Sequence, residues 1–139
     1  MRIALLAVVA VLMTACSDGL HGTWVDASRV VVAPSPWPKP VALALDAPPR
    51  ILALWMNATA IAPGRDWTGR IITSTNVTSV EVRTESFSFT ATRLRPGVFV
   101  FSQHVLEVIP QYKRSYTLRV IARNPAGARD EGLVPIRFL

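Results

Sequence analysis

The chain has one cysteine, Cys16, and two histidines, His21 and His104, among its 139 residues. A lone cysteine has no partner for an internal disulfide, so a small cross-linked scaffold is excluded. A zinc site needs three or four clustered His, Cys or carboxylate ligands, and no such cluster is evident in the sequence. Charge is scarce, at 17% of residues, and apolar residues make up 50%. That balance excludes disorder of the whole chain. The charge-rich composition of a coiled coil is missing. No Gly-x-Ser-x-Gly elbow occurs, so the usual strand-turn-helix setting for a serine nucleophile is absent. Nor is any apolar run close to the roughly 20 residues that cross a bilayer as a helix. The longest is Ile3 to Ala15, broken only by Thr14, and the next, Ile51 to Met56, is strand-sized.

What is present begins with an address. Met1-Arg2 followed by the short apolar run reads as a secretory signal peptide over residues 1–15. The next residue is Cys16. Met13-Thr14-Ala15-Cys16 resembles the bacterial lipobox, in which the cysteine is acylated and becomes the new N-terminus. The resemblance implies attachment of lipid at Cys16 and a chain held in the cell envelope. More than one acyl chain makes such an anchor stable, at about 0.8 kcal/mol per buried methylene. Ser17, where Asp would favour retention at the inner membrane of a Gram-negative cell, implies the outer membrane.

Residues 16–40 read as a lipid-anchored, extended tether. Pro34, Pro36, Pro38 and Pro40 alternate with other residues, which favours stiff polyproline-like backbone. Val30-Val31-Val32 is a candidate short strand just before them. From Val41 to Leu139 the pattern is all-β. Val41 to Leu45 ends at a Pro48-Pro49 turn, and Arg50 to Ala60 places Ile51 and Trp55 on one face. Trp67 to Thr75 follows. Ser79 to Glu85 alternates, with Val80 and Val82 inward. The apolar parity then flips at Phe87, and a flip inside one strand would turn every side chain over. A bend or new strand is therefore expected near Glu85-Ser86. Arg95-Pro96-Gly97 is a turn before Val98 to Phe101. Tyr116, Leu118, Val120 and Ala122 share an inward face, opposite Arg119 and Arg123. Leu133 to Leu139 closes the domain, with Pro135 marking an edge position. About seven short strands separated by turn signals point to a β-sandwich.

Tyr116-x-Leu118-x-Val120-x-Ala122-x-Asn124-x-x-Gly127 resembles the F strand and F–G turn of immunoglobulin-like and fibronectin type III-like domains. The resemblance implies a single immunoglobulin-like sandwich over 41–139, with strand B in Trp67 to Thr75 and strand C in Ser79 to Thr84. It also implies a tyrosine whose hydroxyl bonds nearby backbone, a role that falls to Tyr116. The inter-sheet disulfide of antibody domains is absent.

Candidate functional residues are few. His104, read as a surface or half-buried histidine, has no evident nucleophile or metal partner, and no cofactor is expected. Asp130-Glu131 is read as a solvated turn, with a calcium site as the lesser alternative. Without Arg2, 14 Lys and Arg face 9 Asp and Glu, and only Lys39 and Lys113 are lysines. Arginine suits bidentate contact with carboxylates and phosphates. Arg93, Arg95, Lys113, Arg114, Arg119 and Arg123 would form a patch if their strands are neighbours. Arg65-Asp66-Trp67-Thr68-Gly69-Arg70 is the most suggestive loop. There Trp67 flanked by Arg65 and Arg70 would stack on a sugar, or else plug the core. The functional expectation is a non-catalytic, membrane-anchored module with an envelope protein partner or a structural role. The alternative is a ligand-binding lipoprotein reading acidic glycan or lipid headgroups through Trp67 and an arginine face including Arg119 and Arg123. An exported chain is not expected to bind nucleic acid.

Overall fold

A computed structural model of the chain describes residues 22–107 and 110–139. The expected signal peptide (residues 1–15) and the expected lipid attachment at Cys16 lie outside them. In chain order the elements are β1 (Thr23–Trp24), α1 (Ala27–Val30), β2 (Ile51–Met56), β3 (Ala60–Ile61), β4 (Asp66–Thr73) and β5 (Ser79–Arg83). Then come β6 (Ser88–Thr90), β7 (Thr92–Arg95), β8 (Val98–His104), a short 3-10 turn at Pro110–Tyr112, β9 (Ser115–Arg123) and β10 (Arg129–Phe138). They build two sheets, β1-β10-β9-β5-β6 with β3 also on β10, and β2-β4-β8-β7. The protein is an all-β sandwich.

Period-two alternation explains the core between the sheets. Tyr116, Leu118, Val120 and Ala122 of β9 and Val80 and Val82 of β5 are buried, facing Ile71 of β4 and Phe99 and Phe101 of β8. Burying a large aliphatic or aromatic side chain is worth about 1.5–3 kcal/mol. These rows therefore dominate the stability of a chain that lacks an internal disulfide. The parity flip after Thr84 is a tight turn between β5 and β6. The Thr84 hydroxyl accepts from the amides of Ser86 (3.1 Å) and Phe87 (3.3 Å). Pro135 sits in the interior of β10 without breaking a ladder. The Leu133 carbonyl accepts from Val25 N–H (2.8 Å), and Arg137 N–H donates to the Thr59 carbonyl (2.8 Å), both on the outer side of β10. Residue 135 lies between them in the same phase, so the missing proline N–H falls in the gap between β1 and β3.

Within its described residues, 22–40, the segment before the sandwich differs from the expected free tether. Thr23 and Trp24 pair in parallel with Gly132 and Leu133, adding a strand to the larger sheet. Val30 is part of no strand; it ends α1 and is buried in the core at 1% exposure. Asp26 caps α1, its carboxylate accepting from the Ser28 amide (2.8 Å) and hydroxyl (2.7 Å). Those two bonds hold the Asp26 carboxyl below its ordinary value. Residues 33–40 run across the domain and are pinned at their end. Pro40 packs on Gly97, where an added Cβ would sit 2.4 Å from it and where φ is +78°. Only glycine satisfies both the turn and the contact.

Val41 to Leu45 is also no strand. Its backbone acceptors are claimed from the side: Asn76 Nδ2 donates to the carbonyls of Ala44 (3.0 Å) and Ala47 (2.7 Å). Thr75 N–H donates to Val41 (2.9 Å). The extra short strands β1, β3, β6 and β7 raise the number above the expected seven. A register shift between Ile51 and Ala53 brings Ile51 against the core, away from the face of Trp55. β10 starts four residues earlier than expected, so Asp130-Glu131 is strand and not a solvated turn. Asp130 Oδ2 accepts from the Ile51 amide at 2.7 Å and stitches one sheet to the other.

Candidate functional site

Trp67, the leading candidate from sequence, lies in the core at 3% exposure. It shares the inward phase of β4 with Gly69 and Ile71. Its indole N–H donates to the Ala58 carbonyl (3.2 Å), and its ring meets those of Phe101 (5.1 Å), Phe89 (6.0 Å) and Phe138 (6.4 Å) edge-on. Gly69 makes the room: a Cβ there would fall 2.1 Å from the Phe101 ring. A sugar cannot reach a ring so enclosed, and Trp67 as a binding residue is corrected to a core residue. Arg65 is exposed in the loop before β4, apart from the groove described below.

The expected arginine patch does not assemble. Arg93 and Arg95 lie on β7 of the smaller sheet, whereas Arg119 and Arg123 lie on β9 of the larger. Arg119 grips Glu131 with two nitrogens (2.9 and 3.2 Å), and Arg123 holds Glu81 at 2.8 Å. Both arginines are half-buried instead of exposed. The Glu131 side chain is 3% exposed, and Arg129 reaches it at 3.4 Å. Arg114 pairs with Glu85 at 2.7 Å. A hollow of about 580 Å³ beside Thr117 and Tyr116 has two arginines in its wall, Arg83 and Arg119, and both already have carboxylate partners. His104 Nδ1 lies 2.8 Å from Asp66 Oδ1 at the exposed ends of β8 and β4, consistent with a surface histidine.

The remaining candidate, Arg70, lies on the outer face of β4. Cross-strand register places Trp55, Arg70, Val100 and Thr92 in one row across β2, β4, β8 and β7. Thr68 and Ser102 form part of the next row. The proline segment passes over this face and delivers Trp37. Its ring meets that of Trp55 at 6.2 Å and 88°, and the Arg70 guanidinium carbon lies 5.3 Å from the Trp37 ring centre. The cation–π contact is worth about 0.5–1 kcal/mol at exposed sites and more when desolvated. Together these residues wall a groove of about 530 Å³.

Two donors at this groove are unsatisfied. Trp55 Nε1 and Arg70 Nε are both shielded from solvent and have no hydrogen-bond partner among the described residues. A buried donor left this way costs about 1–3 kcal/mol. No carboxylate pairs with Arg70 among those residues, in contrast to Arg119 and Arg123. Sequence reasoning assigned Trp37 to the spacer and Trp55 to a strand face. The available signal was the pairing of Trp55 with Arg70 across β2 and β4, which requires a register that only the folded sheet supplies. No family model, curated protein or solved structure matches the chain.

Proposed function

We propose that the protein is a lipid-anchored, non-catalytic binding module of the bacterial cell envelope with an immunoglobulin-like sandwich. The lipobox-like Met13-Thr14-Ala15-Cys16 supports the anchor and the address. The strand order supports the fold family. With β2, β4, β8 and β7 as A, B, E and D, and β6, β5, β9 and β10 as C′, C, F and G, both sheets follow the immunoglobulin arrangement. The Tyr116 hydroxyl donates to the Tyr112 carbonyl at 3.1 Å, the bond expected of a tyrosine corner.

The single observation that carries the binding reading is the groove of Trp37, Trp55 and Arg70, in which Arg70 lies over a tryptophan ring and pairs with no carboxylate among the described residues. It favours the ligand-binding form of the proposal and moves the site from Trp67 and the arginine face to the outer face of the smaller sheet. An envelope protein partner is the second reading. It is favoured by the apolar end of the sandwich, where exposed Leu106 and Tyr112 flank Phe87 and Phe138.

The anchor is tested by growing cells with a fatty-acid analogue. Wild-type protein takes up the label and sediments with membranes, whereas Cys16→Ser does neither. Unlabelled wild type together with a membrane-bound Cys16→Ser would overturn the anchored reading.

A further inference from the structure

We infer that the groove of Trp37, Trp55 and Arg70 binds a carboxylated saccharide. The inference rests on the ligand-binding reading above and names its ligand class. Three features of one surface converge. Two perpendicular indoles offer apolar faces of the size of a pyranose ring, and such faces favour edge or face contact with a flat partner. The groups open to a ligand here are donors, the terminal nitrogens of Arg70, so the complementary ligand is rich in acceptor oxygens; Trp55 Nε1 and Arg70 Nε are sealed as well as unsatisfied, and a ligand reaches them only as the groove walls shift. Thr68, Thr92 and Ser102 add hydroxyls that donate or accept, which suits the mixed hydroxyls of a sugar.

Arg70 sets the charge. Its guanidinium is held over the Trp37 ring and pairs with no carboxylate among the described residues. Planar, fork-shaped and always charged, it matches a carboxylate bidentately. The other outer face provides the contrast, because Glu81 and Glu131 there engage Arg83, Arg123, Arg119 and Arg129. The groove is also shallow and framed by rings and hydroxyls, which fits a saccharide ring better than a bare headgroup.

The test uses the full chain purified in detergent, with binding followed by calorimetry and tryptophan emission. The probes are a tetrasaccharide of alternating glucuronic acid and N-acetylglucosamine, a neutral N-acetylglucosamine tetrasaccharide, and glycerophosphoglycerol, a soluble anionic lipid headgroup. The acidic saccharide binds saturably, at least about tenfold more tightly than the neutral one. Arg70→Gln removes that preference, since a charge-assisted bond is worth about tenfold or more in affinity. Trp55→Phe keeps a ring, loses the indole N–H and weakens binding by about fivefold. Arg137→Gln, an exposed arginine on the other sheet, leaves binding unchanged. Near-UV circular dichroism reports the fold of each variant, and Trp55→Phe decides alone if Arg70→Gln does not fold. Equal binding of the neutral saccharide, or native-like variants that bind as wild type, overturns the inference. Binding of the headgroup alone, lost in the same variants, overturns the saccharide assignment but keeps a ligand site. Binding of none of the three overturns the saccharide assignment and the groove, with the Cys16 labelling result unaffected.

Discussion

The two outer faces of the sandwich carry the same residue, arginine, and use it in opposite ways. On the larger sheet Arg119 and Arg123 meet Glu131 and Glu81 across neighbouring strands, and the charges close on one another. On the smaller sheet Arg70 meets a tryptophan ring and keeps a shielded nitrogen unpaired. A face whose charges are matched within the protein contributes to holding it together. The face whose arginine is unmatched is the one on which the proposed ligand site rests. The tryptophans divide similarly: Trp67 is core although it comes from a polar stretch of the sequence, and Trp55 is groove although it comes from an apolar one.

The sharpest way to break this contrast is Trp67→Ala. Loss of a fully packed aromatic costs about 3–5 kcal/mol, a large part of the 5–15 kcal/mol typical of a domain. Denaturant unfolding should show that loss, whereas Trp55→Ala, half-buried at the surface, should cost about 1–2 kcal/mol. Equal costs would place the two rings in equivalent settings and remove the basis for a site at Trp55.

A smaller effect separates the two arginine faces. Glu131→Gln leaves Arg119 and Arg129 without their partner. It is expected to cost about 1–3 kcal/mol, below the 3–5 of a fully buried pair because both arginines keep contact with water. Arg70→Gln should change the unfolding free energy by less than about 1 kcal/mol, the size of the lost cation–π contact. If Arg70→Gln were the more destabilising, Arg70 would be a structural residue and the contrast would reverse.

The smallest effect lies in the docked N-terminal segment. The Asp26 carboxyl is held below its ordinary 3.8 by the Ser28 bonds, so its contribution is present above that value. It is lost as pH falls through the lower, folded value. The protection of the α1 amides against hydrogen exchange, taken relative to the intrinsic rate at each pH, should fall over that acid window. Asp26→Asn should remove the pH dependence while leaving the rest of the sandwich unchanged. Protection factors independent of pH in the wild type would mean that the Asp26 cap does not hold α1.

Much of the fold was legible in the sequence. Alternation over Tyr116 to Ala122 marked the buried face of β9, the parity flip at Phe87 marked the turn into β6, and Arg95-Pro96-Gly97 marked the turn before β8. These are local properties, because backbone geometry sends successive side chains to opposite sides of a strand. The candidate site was legible only in Arg70. For Trp67 the sequence left a sugar platform and a core plug both open, because its neighbours Arg65, Asp66 and Arg70 are all polar, while the phase that buries it is set by Gly69 and the Phe101 ring across the sheet. Val41 to Leu45 had strand composition, but the distant Asn76 side chain takes its Ala44 carbonyl and the Thr75 amide its Val41 carbonyl.

By itself, then, the sequence determined that strands form, where most of them turn and which side chains share a face. Tertiary structure alone decided which of two faces looks inward for Trp67, which arginines find a carboxylate, and where residues 23–40 dock. Strand phase is fixed within a few residues of chain, but a partner for β1, for Arg119 or for Trp37 lies tens of residues away. Its identity depends on the register of sheets that exist only once the whole core has closed.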